Sequence, residues 1–274
     1  MVPLMLAVGS LDGTVEDCML GLRTPTGRSM QLKSAVVEDG YVDWAVLTQL
    51  VKPTPSQPFH EISGGRKAHP FFVGTVMRVR DIVYLETTGF ITIKGPDGRK
   101  QPSVRELTEF NVVRAKLSYC YLYRQRSERE VDVFLRGFVC AMGEAPESLV
   151  VSTVTEIVMS IPKNLACAKM YKLAYLLKHA SPPVKSQRGC CRVAHKMVKI
   201  SPYKPGVISE KMAVCGRCTR AAAELSASLV AAHSVRDADV ESLPEHDVLL
   251  WNVDVSSSNS QSSSAHSNND RNTP

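Results

Sequence analysis

The sequence predicts an α+β protein in three parts. An antiparallel β-rich N-terminal domain covers residues 1–145, a helical basic region covers 146–235, and an acidic, Ser/Asn-rich disordered C-terminal tail covers 236–274. Three observations carry this reading. In the first half, short runs of β-branched and aromatic residues are separated by Pro- and Gly-bearing turns. Beyond residue 146 the pattern changes to Ala- and Leu-rich segments with helical spacing. Charge is also partitioned: residues 1–162 hold 18 basic and 18 acidic side chains, 163–220 hold 13 and 1, and 221–274 hold 2 and 8, within a net charge of +6.

Taken in order, the apolar start over residues 1–8 reads as a strand or buried arm. It lacks the basic flank of a signal peptide. Residues 18–23 and 29–33 flank Thr24-Pro25-Thr26-Gly27, which has the residues of a turn between strands. Asp43 is placed to cap a short helix over 44–51, with Val46, Leu47, Leu50 and Val51 apolar and Pro53 as its stop. Residues 52–58 form an extended connector, and 71–79 and 82–85 read as strands. Residues 89–94 lead into a turn at 95–98, and 103–110 read as a short helix. Leu117, Tyr119, Tyr121 and Tyr123 sit two apart, as on one half-buried strand face, and 131–142 should pair with that strand across 125–130.

Pro146 suits the first turn of a helix over 147–161, although the Val- and Thr-rich composition leaves a strand open. Residues 165–180 form a clearer helix, with Cys167 as a small packed residue and Lys169 and Lys172 reaching round the apolar arc to solvent. Residues 184–208 look loop-like, and Ser209 is placed to cap a long helix to about 233, unless Gly216 interrupts it. Residues 255–274, mostly Ser and Asn, cannot offset the entropy of ordering.

Hydrophobic residues at 44% and charged residues at 22% supply an ordinary globular core. No apolar run approaches the ~18 residues that span a bilayer. The expectation is a cytoplasmic or nuclear chain that is not secreted and has no transmembrane segment, with reduced thiols that pack or bind metal. Enzyme signatures are absent: Gly9 to Gly13 has no Walker lysine, no HExxH occurs, and Gly64-Gly65-Arg66-Lys67 is too short for a phosphate loop. His60, Glu61 and His69, read as loop residues near Arg66 and Lys67, are a weak acid–base or metal candidate.

Five of the eight cysteines lie within 163–220. Cys215 and Cys218 have the two-residue spacing that lets both sulfurs face one zinc ion, and Cys191 and His195 are four apart, with Cys190 able to replace Cys191. A structural zinc on these five candidates would close residues 196–214 into a loop. The competing reading packs Cys215 and Cys218 one turn apart on the helix from Ser209, beside Met212, Ala213, Val214, Ala221 and Ala222. Cys190-Cys191, in a polar basic loop, fits that alternative less well.

Lys185, Arg188, Arg192, Lys196, Lys199 and Lys204 surround the cysteine cluster, Lys178 ends the preceding helix, and Arg217 and Arg220 border the second cysteine pair. A nucleic-acid phosphate backbone or an anionic membrane surface rewards such density, and the bland alternative is a solvated basic face. Tyr203 is the single aromatic of the loop, so backbone contact is favoured over base stacking. The acidic residues Asp237, Asp239, Glu241, Glu245, Asp247 and Asp254 bracket Val248 to Trp251, which suits a tail that folds back on the basic module or binds a basic partner.

Residues 20–33 followed by Tyr41-Val42-Asp43-Trp44-Ala45-Val46-Leu47 resemble a strand-then-helix element of viral matrix proteins of the rhabdovirus kind, plant-infecting members in particular. Phe110 to Arg114 leading into 117–123 is similar to a later strand pair of that family. The resemblance implies a non-enzymatic virion protein that bridges the nucleocapsid to an anionic membrane, self-associates, and resides in host cytoplasm or nucleus. The alternative is a zinc-stabilised nucleic-acid-binding regulator, such as a silencing suppressor or movement factor.

Overall fold

A computed structural model of the chain describes residues 4–70, 78–90, 113–179, 192–200 and 206–240. It shows mixed helix and antiparallel sheet, as the α+β reading requires. The expectations for the turn at 95–98, the helix at 103–110 and residues 241–274 lie outside the described residues.

Strand β1 (Leu4–Asp12) leads into helices α1 (Val15–Leu22) and α2 (Gly27–Val37). Strands β2 (Asp43–Val51), β3 (Glu61–His69), β4 (Arg80–Thr88) and the short β5 (Val113–Arg114) form one sheet in that order. Strands β6 (Lys116–Ser127) and β7 (Glu130–Cys140) join β1 in a second sheet, ordered β1-β7-β6 and antiparallel throughout. Helices α3 (Glu147–Met159) and α4 (Asn164–His179) follow, then a hairpin of β8 (Arg192–Ile200) and β9 (Val207–Cys215), and helices α5 (Gly216–Glu224) and α6 (Ala227–Val240).

Two predicted strands are helices. Thr14 accepts from the Asp17 N–H at 3.1 Å and so caps α1, with Glu16 and Asp17 complementing the dipole of its first turn. Thr26 and Ser29 form a reciprocal capping box that starts α2, so Thr24-Pro25-Thr26-Gly27 is a helix entry and not a hairpin turn. Conversely, the predicted helix over 44–51 is strand β2. Its pairing with β3 slips between Val46 and Thr48 and again between Gln49 and Val51. Each bulge adds a residue, and the resulting spacing of Val46, Leu47, Leu50 and Val51 imitates a helical stripe. The segment that carried the strand-then-helix resemblance is therefore helix followed by strand.

The hairpin of β6 and β7 agrees with expectation. Leu117, Tyr119, Tyr121 and Tyr123 line its inner face and pack with Val133, Leu135 and Val139 against Val150, Val154 and Val158 of α3. Residues 147–159 are thus helical despite their β-branched content, because one face is buried on the sheet. Gly137 lies where a Cβ would overlap the ring of Tyr119.

Helix α4 is the central strut. Gly21 of α1 lets the two helices meet closely, since a Cβ there would overlap the Asn164 carbonyl oxygen. Lys172 does not reach solvent as expected: it is 5% exposed, and its Nζ meets Asp17 Oδ1 at 2.5 Å. Cys18 and Cys167 are buried, and burial pushes both thiols up to about 12. They are packing residues. By length and composition alone the run Glu147–His179 could cross a membrane, but 44% of its most apolar window is buried inside the protein. Its apolar faces supply the contacts to β7, α1 and α2.

Charge fastens the first sheet. Asp81, with a fully buried side chain, accepts from Arg66 Nε at 2.6 Å and meets Arg114 Nη2 at 2.7 Å, joining β3, β4 and β5. Arg80 donates to the carbonyls of Ala141 and Met142 at 2.9 and 3.2 Å, tying β4 to the end of β7.

Candidate anion-binding surface

The segment expected to be a basic loop followed by one long helix is the β8–β9 hairpin followed by two helices. Register runs without a slip from Arg192↔Cys215 to Ile200↔Val207. Met197 and Val198 are neighbours in sequence and both are buried, so β8 packs on both faces and shows no alternation. They join Val214, Leu32 of α2, Met170 and Leu173 of α4, and Ala222 of α5 in one cluster. The hairpin is thereby fixed to the body of the protein. Ser209 does not cap a helix: it lies in β9 opposite Val198.

The N-cap is Cys215. Its backbone is extended and its Sγ accepts from the Cys218 N–H at 3.4 Å. Cys218 lies in the first turn of α5, so the two cysteines share a helix start and not the middle of a helix. Thr219 Oγ1 donates to the Cys215 carbonyl at 3.2 Å and lies 3.0 Å from His195 Nε2, which pins α5 to β8. Helix α5 ends before Ser226, whose side chain accepts from the Leu229 N–H and starts α6.

The metal candidates divide. Cys190 and Cys191 lie outside the described residues. His195, Cys215 and Cys218 are all near the Cys215 end of the hairpin, yet among the described residues no group of three or more His, Cys, Asp or Glu is placed to hold a metal ion. The imidazole faces a threonine hydroxyl, and the Cys215 sulfur faces a backbone N–H, which is a capping arrangement.

The basic candidates divide too. Lys185, Arg188 and Lys204 lie outside the described residues, and for Arg192 and Lys196 only the backbone positions are described. Lys178 Nζ meets Asp237 Oδ2 at 3.0 Å, and Lys199 Nζ meets Glu210 Oε1 at 2.7 Å. These two cations have local acids, in exposed pairs that contribute about 0–1 kcal/mol each. The rest gather on the hairpin and α5. Register sets Lys196 directly opposite Lys211. Lys211, Arg217 and Arg220 are exposed, and among the described residues none forms an ion pair. Arg217 and Arg220 are three apart on α5, hence on one face. Lys211 was not singled out from the sequence; its like-charged cross-strand neighbour is visible only once the hairpin register is known.

Among the described residues, the acid–base candidates Glu61 and His69 stand at opposite ends of one strand. Glu61, Arg66, Lys67 and His69 belong to strand β3 and not to a loop. His69 is buried with its Nε2 3.1 Å from the Asp39 carbonyl, and Glu61 accepts from Gln49 Nε2 at 3.1 Å. Burial holds the His69 imidazole below its ordinary range.

No family model and no curated protein matches the chain. Solved structures with a related course of the backbone include human StAR-related lipid transfer protein 5 (TM-score 0.40, 14% identity, covering 60% of this chain and 75% of that one). The human StarD13 (DLC2) lipid transfer and protein localization domain gives 0.40, 14%, 61% and 77% by the same measures. Human STARD10 gives 0.42, 14%, 64% and 66%. At such identity and TM-score, what those proteins bind does not transfer to this one.

Proposed function

We propose that this chain is a non-enzymatic assembly protein that binds the phosphate backbone of RNA, as in a ribonucleoprotein, through the face formed by β8, β9 and α5. The observation that supports this most is the opposition of Lys196 and Lys211 at one register position, extended by the exposed Arg217 and Arg220. Like charges directly opposite on a sheet are destabilising, and a bound anion relieves them. Four cations carried by one hairpin and the helix that follows it suit a polyanion better than a single small anion. The excess of 13 basic over 1 acidic residue across 163–220 points the same way.

RNA suits this face better than a membrane does. Stable peripheral attachment takes an apolar or lipid signal besides charge. Among the residues of the hairpin and α5 whose burial is described, no large apolar side chain is exposed. The test sets single-stranded RNA against vesicles of mixed neutral and anionic lipid, each titrated with salt. The expected result is RNA binding that falls steeply with salt, with no vesicle binding left at physiological ionic strength. Vesicle binding that survives salt, without RNA binding, would overturn the reading.

A further inference from the structure

The acidic residues that follow α6 are not used by RNA binding, and the fold fixes where they begin. Helix α6 runs alongside α4 in the same direction. His233 lies against Tyr175 with ring centroids 5.3 Å apart, and one turn further on Asp237 Oδ2 meets Lys178 Nζ at 3.0 Å. Earlier in the two helices, Ala227 and Ala231 of α6 share one apolar cluster with Ala168 and Tyr171 of α4. The chain therefore leaves α6 beside the C-terminal end of α4.

The basic face lies along the same half of α4. Cys218 and Ala222 of α5 and Val214 of β9 pack in the cluster to which α4 contributes Met170, Leu173, Leu176 and Leu177. Lys211, Arg217 and Arg220 are the exposed cations of those two elements. Packed helices stand about 8–10 Å apart and nine residues of helix span about 13 Å, so α5 lies within roughly 35 Å of the end of α6. Residues 241–254 span at most roughly 46–50 Å when extended. The segment is long enough to cross the face.

Charge selects the occupant. Within 163–220 Glu210 is the only acid, and Lys199 takes it at 2.7 Å. Lys178 is answered from outside that window, by Asp237. The acids continue from there as Asp239, Glu241, Glu245, Asp247 and Asp254, and residues 241–254 contain four acids and no Lys or Arg. The pairing of Lys178 with Asp237 is thus the first contact of an acidic run with a basic module beside it.

We infer that residues 241–254 cover the face of Lys211, Arg217 and Arg220 when RNA is absent, with their carboxylates in the place of phosphates, so that RNA binds by displacing them. The inference rests on the reading of that face as the RNA site. A tethered segment is present at an effective concentration on the order of millimolar. Exposed ion pairs are individually weak, so the cover is partial and reversible. A face covered about half the time binds RNA about twofold more weakly.

The test takes two measurements on the full chain. Carbodiimide joins a lysine amine to a carboxyl group as an amide, with loss of water, where the two are in contact, and peptide mapping of the single-chain product identifies the pair. Lys178 with Asp237 is the internal standard. RNA affinity is measured at about 50 and 200 mM salt for wild type and two variants. One carries Glu241→Gln, Glu245→Gln, Asp247→Asn and Asp254→Asn. The other has the same net charge through Asp12→Asn, Glu128→Gln, Glu144→Gln and Glu156→Gln, all at exposed sites outside β9 and α5. The expected result is coupling of Lys211 to residues 241–254 within one chain, lost when RNA is added. At low salt the tail variant should bind RNA about twofold tighter or more than the charge-matched variant. Absence of that coupling while Lys178 and Asp237 couple overturns the inference, as does coupling only between chains, or equal affinity of the two variants. If none of the three proteins binds RNA, the RNA reading fails, and the coupling alone decides whether the segment covers the face.

Discussion

Replacing Cys215 by serine separates a helix cap from a metal ligand by the sign of the stability change. Cys215 Sγ accepts the Cys218 N–H at 3.4 Å, a weak bond because thiol sulfur is a poor acceptor. A serine oxygen at the same position belongs to the preferred N-cap set, in which a good cap is worth about 1 kcal/mol over a non-capping residue. The account therefore predicts that Cys215→Ser is neutral or stabilises by up to about 1 kcal/mol. For a domain of this size that is a rise of up to roughly 2–4 °C in Tm. Were Cys215 a ligand of a structural zinc, the change would remove part of an apparent affinity of roughly 10–16 kcal/mol, and the hairpin and α5 would come apart. Urea and thermal unfolding of both proteins, each with and without a chelator, decide between them. A loss above about 2 kcal/mol, or a wild-type Tm that drops on chelation, would refute the capping account.

Asp81→Asn should cost about 3 kcal/mol, near the lower end for a broken buried ion pair, because Arg66 keeps Asp43 at 2.6 Å; a change under 1 kcal/mol in urea unfolding would contradict the role given to the β3–β4–β5 junction. Stability should also fall with acid through His69. Its folded pKa lies below the unfolded value of about 6.5, so the unfolded chain takes up the proton first. The contribution is complete above that value and is lost as pH drops below it. His69→Gln should flatten that part of the pH–stability curve, and an unchanged curve would count against the burial argument. Native-state thiol labelling should modify exposed Cys120 quickly and leave Cys18 and Cys167 unmodified until unfolding, since their thiols are buried with the proton held to about 12.

The segment 116–179 was legible in the sequence, and the segments on either side of it less so. The helix at 164–179 follows from its Ala- and Leu-rich helical spacing and the β6–β7 hairpin from the alternation of its tyrosines, whereas Pro146 pointed to the helix at 147–159 against a β-branched composition that left a strand open. Strand β2 was hidden by its two bulges, which turn a two-residue period into a false helical one. Helix α2 was hidden by a Thr-Pro-Thr-Gly entry that serves a turn equally well, and only the later Ser29 marks it as a capping box. The β8–β9 hairpin was hidden because it is buried on both sides at Met197 and Val198. Burial of two adjacent positions breaks the two-residue alternation by which a strand is read. For the site, the excess of positive charge was plain in the sequence. Which cations remain for a ligand was not, because that depends on pairings such as Lys178–Asp237 across two helices, and on a register that sets Lys196 against Lys211.

In this reading the exposed cations Lys211, Arg217 and Arg220 of β9 and α5 contact RNA phosphates. Its most direct test is the slope of log affinity against log salt for single-stranded RNA, measured for wild type and for the Lys211→Glu, Arg217→Glu, Arg220→Glu triple variant. Each phosphate contact contributes about 0.7 to that slope. The account predicts that the triple variant binds more weakly and that its slope is shallower by about 2. Equal slopes and equal affinities in the two proteins would contradict it.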